Sequence, residues 1–274
     1  YVLRAAGCLS CHTHFDADGE PLAGGRPLTS RFGTFYAPNI TPDTEHGIGG
    51  WSRDDFARAL TRGIAPDGRR YYPAFPYTAY TGMDAGDIDA LWAYLSREAA
   101  PVAAANVDHE LVWYAEIPYA MRVWQWLFFE PGASPRDPER SAAWNRGAYL
   151  ADTLAHCGAC HTPRGLLGAP VEALRYAGTE AGPHGDPVPN ITPHRETGIG
   201  RWSVDDLAFF LEIGMTPGGD FTGGSMADVI DHGTGHMSGE DRRAMAQYVL
   251  SLPPVANRVG GDGGEEAEPR GEFE

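Results

Sequence analysis

The apolar positions of this chain predict short amphipathic helices separated by long loops rich in glycine and proline. Two stretches, 87–95 and 241–252, place apolar residues at the i, i+3, i+4, i+7 spacing of one helix face. These residues are Ile88, Leu91, Trp92 and Leu95 in the first stretch, and Met245, Tyr248, Val249 and Leu252 in the second. No stretch alternates convincingly as a strand, so the pattern predicts an all-α fold.

Another pair of predicted helices has clear start and stop signals. The residue pairs with the spacing of a capping box are Ser52–Asp55 and Ser203–Asp206. Each helix is predicted to end at a glycine, Gly63 or Gly214, because glycine suits the residue after a helix.

These signals occur twice because the chain is internally repeated. APNITPDTEHGIGGWSRDDFARAL (37–60) matches VPNITPHRETGIGRWSVDDLAFFL (188–211) almost position for position. The other elements keep their order and spacing, so we expect two tandem domains related by duplication. The predicted organisation is a first domain (1–97), a linker (98–145), a second domain (146–256) and an acidic disordered tail (257–274).

The predicted linker is rich in aromatic residues, which we expect to pack across both domains because they would not stay exposed in a free tether. They are Trp113, Trp124, Trp126, Phe128, Phe129 and Trp144. Docking of a partner protein is the alternative role for the same residues.

The net charge of −16 argues against a nucleic-acid partner, because phosphates would be repelled. It either steers a basic partner protein or keeps the chain soluble. The most apolar segment, 111–129, is interrupted by polar residues and is not a membrane span. Since the sequence opens at Tyr1 rather than Met, we expect any export signal to have been removed. Membrane association is expected only through a missing N-terminal anchor or a partner subunit.

All four cysteines occur in two copies of one motif, CLSCHT (8–13) and CGACHT (157–162). The Cys-x-x-Cys-His frame is typical of c-type haem attachment, in which two thiols bind the haem covalently and the histidine binds iron. A thioredoxin-type dithiol, disulfides and a shared Cys₄ zinc site are the alternatives. One complete motif per repeat favours one haem per domain. The predicted attachment residues are Cys8, Cys11 and His12, and Cys157, Cys160 and His161.

The sequence resembles the di- and trihaem cytochrome c proteins related to the cytochrome subunits of bacterial membrane-bound alcohol and gluconate dehydrogenases. The resemblance rests on both CxxCHT motifs, both PNITP…GIG-WS-DD stretches, YYPAFPYTAYTGM (71–83), DFTGGSMADVI (220–230) and AMAQYVLSLPP (244–254). It covers nearly all of residues 1–255. Those dehydrogenase subunits usually carry three haem motifs, whereas this chain has two.

The resemblance implies methionine as the second axial iron ligand. It selects Met83 for the first haem and Met226 for the second. Met237 is the alternative to Met226, because it precedes the last helix as Met83 does. A second histidine ligand for this haem, His232 or His236, is a further alternative. The other free histidines, including His156, are expected to be solvated.

Trp51 and Trp202 occupy equal places in the two repeats. Each is either a core residue or a donor of its indole N–H to a haem propionate. Asn39 and Asn190 are expected to order their loops through Asx-type bonds to the backbone.

These features predict a periplasmic dihaem cytochrome, because bacteria attach haem c outside the cytoplasmic membrane. It would pass electrons from a dehydrogenase or quinol-linked donor to an oxidase or a mobile cytochrome, without catalysing bond chemistry itself. The alternative is a dihaem enzyme of the peroxidase or thiosulfate dehydrogenase type, which needs an open or unusual iron ligand position.

Overall fold

The computed structural model describes residues 1–260, so most of the predicted tail (257–274) lies outside the described residues. The chain is mostly helical, with connections that are long and contain short 3₁₀ turns. The α-helices are α1 (Val2–Ala5), α2 (Cys8–His12), α3 (Arg53–Arg62), α4 (Tyr77–Tyr80), α5 (Ala85–Arg97), α6 (Ala120–Phe128), α7 (Ala142–Ala148), α8 (Gly158–His161), α9 (Val204–Ile213), α10 (Gly224–His232) and α11 (Gly239–Val249). A π-helical segment, Tyr149–Leu154, continues α7.

Helices α3 and α9 begin and end where the sequence predicts. In both, the serine hydroxyl accepts a hydrogen bond from the aspartate N–H three residues on, and the aspartate carboxylate accepts one from the serine N–H. The helices end at Gly63 and Gly214, whose φ angles of 60° and 76° lie in the left-handed region that glycine tolerates best. Both predicted capping boxes are confirmed.

The expectation of an entirely α-helical chain is wrong, because a small antiparallel sheet packs beside the helices. Its order is β1 (Pro27–Ser30), β2 (Gly33–Tyr36) and β3 (Glu110–Leu111). The two-residue turn between β1 and β2, Arg31–Phe32, has neither the glycine nor the asparagine that usually indicates a hairpin. The third strand comes from the linker, about 75 residues later, so no local pattern indicates it.

The two halves of the chain, 1–97 and 146–256, share one hydrophobic core. Leu91 and Leu95 of α5 belong to the same buried cluster as Leu150, Leu154 and Met245. Polar contacts also cross this boundary, since the Tyr149 hydroxyl donates to Asp87 at 2.6 Å and accepts from the Asp84 N–H at 3.1 Å. The halves therefore pack against each other directly.

The linker contacts both halves through one face of α6. The Trp124 side chain is buried and its indole N–H donates to the Leu167 carbonyl at 2.8 Å. Gln125 is also buried, against the end of α3. Other aromatic side chains of the linker are exposed to solvent: Trp113 is 78% exposed and Trp126 is 82% exposed. Within residues 1–260, no helix has the length and apolar character needed to cross a bilayer.

Candidate haem sites

The first Cys-x-x-Cys-His motif forms α2, which places the two thiols about one helical turn apart. Gly7 precedes it with φ of 66°, and this left-handed residue turns the chain from α1 into α2. The second motif forms α8, with Cys157 as its N-cap. All four cysteines are unpaired thiols, so the disulfide alternative is wrong. Burial raises the pKa of the Cys8 and Cys157 thiols to about 12.

Each motif histidine is oriented by a backbone carbonyl. His12 donates from Nδ1 to the Pro38 carbonyl at 2.7 Å, and His161 donates from Nδ1 to the Pro189 carbonyl at 2.8 Å. This bond fixes the tautomer and leaves Nε2 with its lone pair available to a metal ion. Burial lowers the pKa of both imidazoles, which favours the neutral form that ligates iron.

The two orienting prolines belong to the repeated PNITP segments, whose buried asparagines hold each loop in place. The side-chain oxygen of Asn39 accepts from the N–H of Thr41 at 2.9 Å and from its hydroxyl at 2.7 Å. Asn190 makes the same two bonds with Thr192 at the same distances. The Asx-type bonds expected from the sequence are present, and they hold the loop that lies beside each motif histidine.

A glycine in each half lets the chain pass close to this loop. Gly24 and Gly178 have φ angles of 80° and 81°, and each N–H donates to the carbonyl of the motif histidine at 2.8 Å. A Cβ atom on either glycine would lie within 2.6 Å of the loop backbone. Sequence reasoning did not single out these glycines, because their role depends on segments more than ten residues away.

The three candidate methionine ligands lie in different environments. Met83 is buried in the turn between α4 and α5, and Met237 is buried immediately before α11. Met226 lies in the first turn of α10, half-buried against the core. His232 stacks on Phe15 of the first half with ring centroids 3.8 Å apart, and Nε2 of His236 contacts the Asp231 carbonyl at 2.9 Å.

Trp51 and Trp202 occupy corresponding places in the structure as well. Both side chains are half-buried and pack against the core at the loop that precedes α3 or α9. Trp202 makes an edge contact with Phe210 at 5.3 Å between ring centroids. Neither indole N–H donates to another of the described residues, so both remain available to a haem propionate.

The residues that precede the two motifs meet at the boundary between the halves. His156, which precedes Cys157, makes an edge contact with the Tyr80 ring at 5.4 Å and lies next to Gly7. Burial raises the pKa of Cys160 to about 11, and the Cys11 side chain adds to this shift. The expectation that His156 is solvated is wrong. Its Nε2 atom is buried and has no hydrogen-bond partner within residues 1–260.

These observations fit a covalently attached haem at each motif. Each motif offers two free thiols and an oriented, neutral imidazole. The Cys₄ zinc alternative has no support, because residues 1–260 contain no group of three or more His, Cys, Asp or Glu side chains placed to hold a metal ion. A helical chain with this arrangement of thiols and imidazole is typical of c-type cytochromes.

Comparison with known proteins gives the family. The chain is 39% identical to the cytochrome c subunit of alcohol dehydrogenase (quinone) from Gluconobacter oxydans, over 97% of this chain and 56% of the relative. It is 39% identical to the gluconate 2-dehydrogenase cytochrome c subunit of Pantoea cypripedii, over 92% of this chain and 58% of the relative. It is 40% identical to a dihaem c-type cytochrome of Cereibacter sphaeroides, over 93% of this chain and 84% of the relative.

The chain therefore belongs to the family of multihaem c-type cytochromes that contains these proteins. It spans a little over half the length of the two dehydrogenase subunits. No protein-family model matches the chain.

Proposed function

We propose that this protein is a periplasmic dihaem cytochrome that passes electrons from a dehydrogenase or quinol-linked donor to an oxidase or a mobile cytochrome. The observation that carries the proposal is the packing of His156, which precedes the second motif, against Tyr80 and against Gly7, which precedes the first motif. Two redox centres attached at these motifs would be close enough to exchange electrons within one chain.

The two halves, 1–97 and 146–256, are proposed to be duplicated cytochrome domains that each hold one haem. Each bound haem supplies a one-electron iron couple. The cysteines of each motif would anchor it, and His12 or His161 would bind the iron through Nε2. Met83 would complete the first site and Met226 the second, with Met237 as the alternative. Trp51 and Trp202 would donate to propionates.

The chain's residues would then tune electron transfer and carry out no bond chemistry. The carbonyl-bonded Nδ1 atoms would raise the basicity of each imidazole toward a bound iron, which would influence the potential. The net charge of −16 favours transient docking with a basic partner. The relatives named above include subunits of alcohol and gluconate dehydrogenases, so such a dehydrogenase is the proposed donor.

Paired cysteine variants combined with transient kinetics test this function. Mass spectrometry should show two haems on the wild type and one on either Cys8→Ala/Cys11→Ala or Cys157→Ala/Cys160→Ala. In stopped-flow experiments with a sugar or alcohol dehydrogenase and its substrate, the wild type should be reduced in two coupled phases. Each single-haem variant should lose one phase.

Peroxide and thiosulfate serve as controls in the same instrument. Neither should be turned over by the purified protein without a partner. Turnover of either one, or a wild type that carries no covalent haem, would contradict the proposal.

A further inference from the structure

The end of α3 and the turn after it form a face that the linker covers. Gln125 of α6 is buried there and donates from Nε2 to the Arg62 and Gly63 carbonyls at 3.3 and 3.4 Å. Its side-chain oxygen accepts from Arg70 at 2.9 Å, and Phe129 makes an edge contact with Tyr77. The helix thus satisfies carbonyls at the C-terminus of α3 that have no intrahelical partner.

The second half builds the same face with nearly identical backbone geometry. Ile64 and Arg70 form an isolated antiparallel bridge after α3, and Met215 and Phe221 form the equivalent bridge after α9. The Gly63 carbonyl accepts from the Tyr71 N–H at 2.9 Å, and the Gly214 carbonyl accepts from the Thr222 N–H at 2.9 Å. The two faces can therefore be compared residue by residue at an offset of 151 positions.

The face after α9, which the linker does not cover, is more apolar than the face after α3. The first half has Arg58, Arg62 and Arg70 where the second half has Phe209, Ile213 and Phe221. Despite their apolar character, the last three are 44%, 41% and 67% exposed. A cleft of about 280 Å³ lies beside Phe209 and is also lined by Asp206, Met215 and Pro217. Exposed large apolar side chains beside an open cleft are typical of a docking surface.

Charge and hydrogen bonding indicate what occupies this surface. Asp206 and the exposed Asp220 give it an acidic rim, and Asp220 forms no ion pair within residues 1–260. The Ile213 carbonyl at the end of α9 receives no hydrogen bond from the described residues, whereas the equivalent Arg62 carbonyl receives one from α6. A second copy of this chain would be repelled by its own charge of −16.

We infer that the face formed by Phe209, Ile213, Met215 and Phe221 docks a basic amphipathic helix of a redox-partner subunit. The helix would lie on α9 as α6 lies on α3, with apolar residues in the cleft and a polar donor at the Ile213 carbonyl. This inference rests on the proposed electron-transfer function, because it assigns the surface to a subunit that exchanges electrons with this cytochrome.

The test uses the holoprotein and a helix of known sequence as the probe. The probe is a synthetic peptide of residues 117–129, acetylated, amidated and extended by two lysines, which reproduces the covering face of α6 and is basic. Isothermal titration calorimetry should show saturable 1:1 binding to the wild type that weakens as salt is added. A scrambled peptide of the same composition should not bind.

The variants remove the apolar side chains of the face without adding charge. Phe209→Ser/Ile213→Ser/Phe221→Ser should weaken binding at least tenfold, because the apolar contacts are lost, and the single variant Phe221→Ser should weaken it several-fold. Leu166→Arg is the control, because Leu166 is 90% exposed on a different loop, and it should bind like the wild type. Absorption spectra of all variants should match the wild type, which shows that they fold and hold haem.

The inference would be overturned if the peptide did not bind to the wild type or bound equally to the triple variant. A wild-type dimer that the triple variant converts to a monomer would also overturn it, because the face would then join two copies. Peptide affinity does not depend on electron transfer, so failure of this surface and failure of the proposed function are measured separately.

Discussion

At the residue scale, the second half contains two methionines that compete for one proposed role. Met237 corresponds to Met83 because both are buried immediately before the last helix of their half. Met226 is half-buried on α10, next to the Gly223–Gly224 pair that begins this helix. The resemblance selects Met226 as it selects Met83, whereas Met237 is supported only by its position before the last helix.

We therefore expect Met226→Ala and Met237→Ala to behave differently. Met83→Ala and Met226→Ala should each remove half of the near-infrared charge-transfer band of methionine-ligated ferric haem and lower one midpoint potential. Met237→Ala should keep the band but lower the free energy of unfolding by about 2–5 kcal/mol, because it leaves a cavity. Near-infrared spectra and urea titrations separate the two effects. Loss of the band in Met237→Ala would reverse the ligand assignment.

At the element scale, a capping box sets the first residue of α3 and of α9. Each capping box starts its helix directly after the loop that contains Trp51 or Trp202. The hydrogen bonds from the serine lower the pKa of Asp55 and Asp206 and keep both carboxylates charged near the positive helix N-terminus. The faces that follow α3 and α9 are therefore placed by the ends of these helices.

Removing the serine cap should therefore lower the free energy of unfolding by the same amount in both halves. Ser52→Ala and Ser203→Ala should each lower the free energy of unfolding by about 1 kcal/mol, because the N–H of the aspartate loses its acceptor. Ser96→Ala is the matched control, since the Ser96 hydroxyl only donates back to the Trp92 carbonyl inside α5. Urea unfolding followed by circular dichroism measures the change. A loss in Ser96→Ala as large as in the capping variants would rule out this account.

At the scale of the whole molecule, Asp241 joins three distant parts of the chain. Its carboxylate accepts from Arg146 Nε and Nη2 at 2.9 and 2.7 Å and also from the Tyr1 hydroxyl. Tyr1 precedes α1, Arg146 lies on α7, and Asp241 itself lies on α11. These hydrogen bonds hold the pKa of Asp241 below its usual range.

The pH dependence of stability follows from this lowered pKa. The folded state binds the Asp241 proton less readily than the unfolded state does, so the stabilisation is present above the ordinary carboxyl pKa of about 3.9 and is lost as pH falls through the folded value. Asp241→Asn should lower the free energy of unfolding by about 2 kcal/mol at pH 7. That difference should shrink below about pH 4.

Glu240→Gln is the neighbouring control, because Glu240 is exposed and forms no ion pair within the described residues. It should leave both the stability and its pH dependence unchanged. Chemical unfolding at several pH values measures both variants. A deficit in Asp241→Asn that stays constant with pH would show that the carboxylate charge does not contribute.

The amino-acid sequence by itself determined the features that depend on residues close together along the chain. Capping boxes, helix-ending glycines, Asx bonds and the Cys-x-x-Cys-His frame all operate within about a helical turn, so their chemistry is readable from spacing. The repeat and the resemblance to multihaem cytochromes c followed from the same local motifs, and comparison with relatives confirmed that family.

Only the tertiary structure decided the features that join residues far apart. The linker supplies β3 to a hairpin that has no turn signal, and His156 is buried because Tyr80 and Gly7 of the other half cover it. The exposure of Phe209 and Phe221 likewise depends on which half α6 covers. Such contacts depend on the free energy of packing whole surfaces, which no short window of sequence contains.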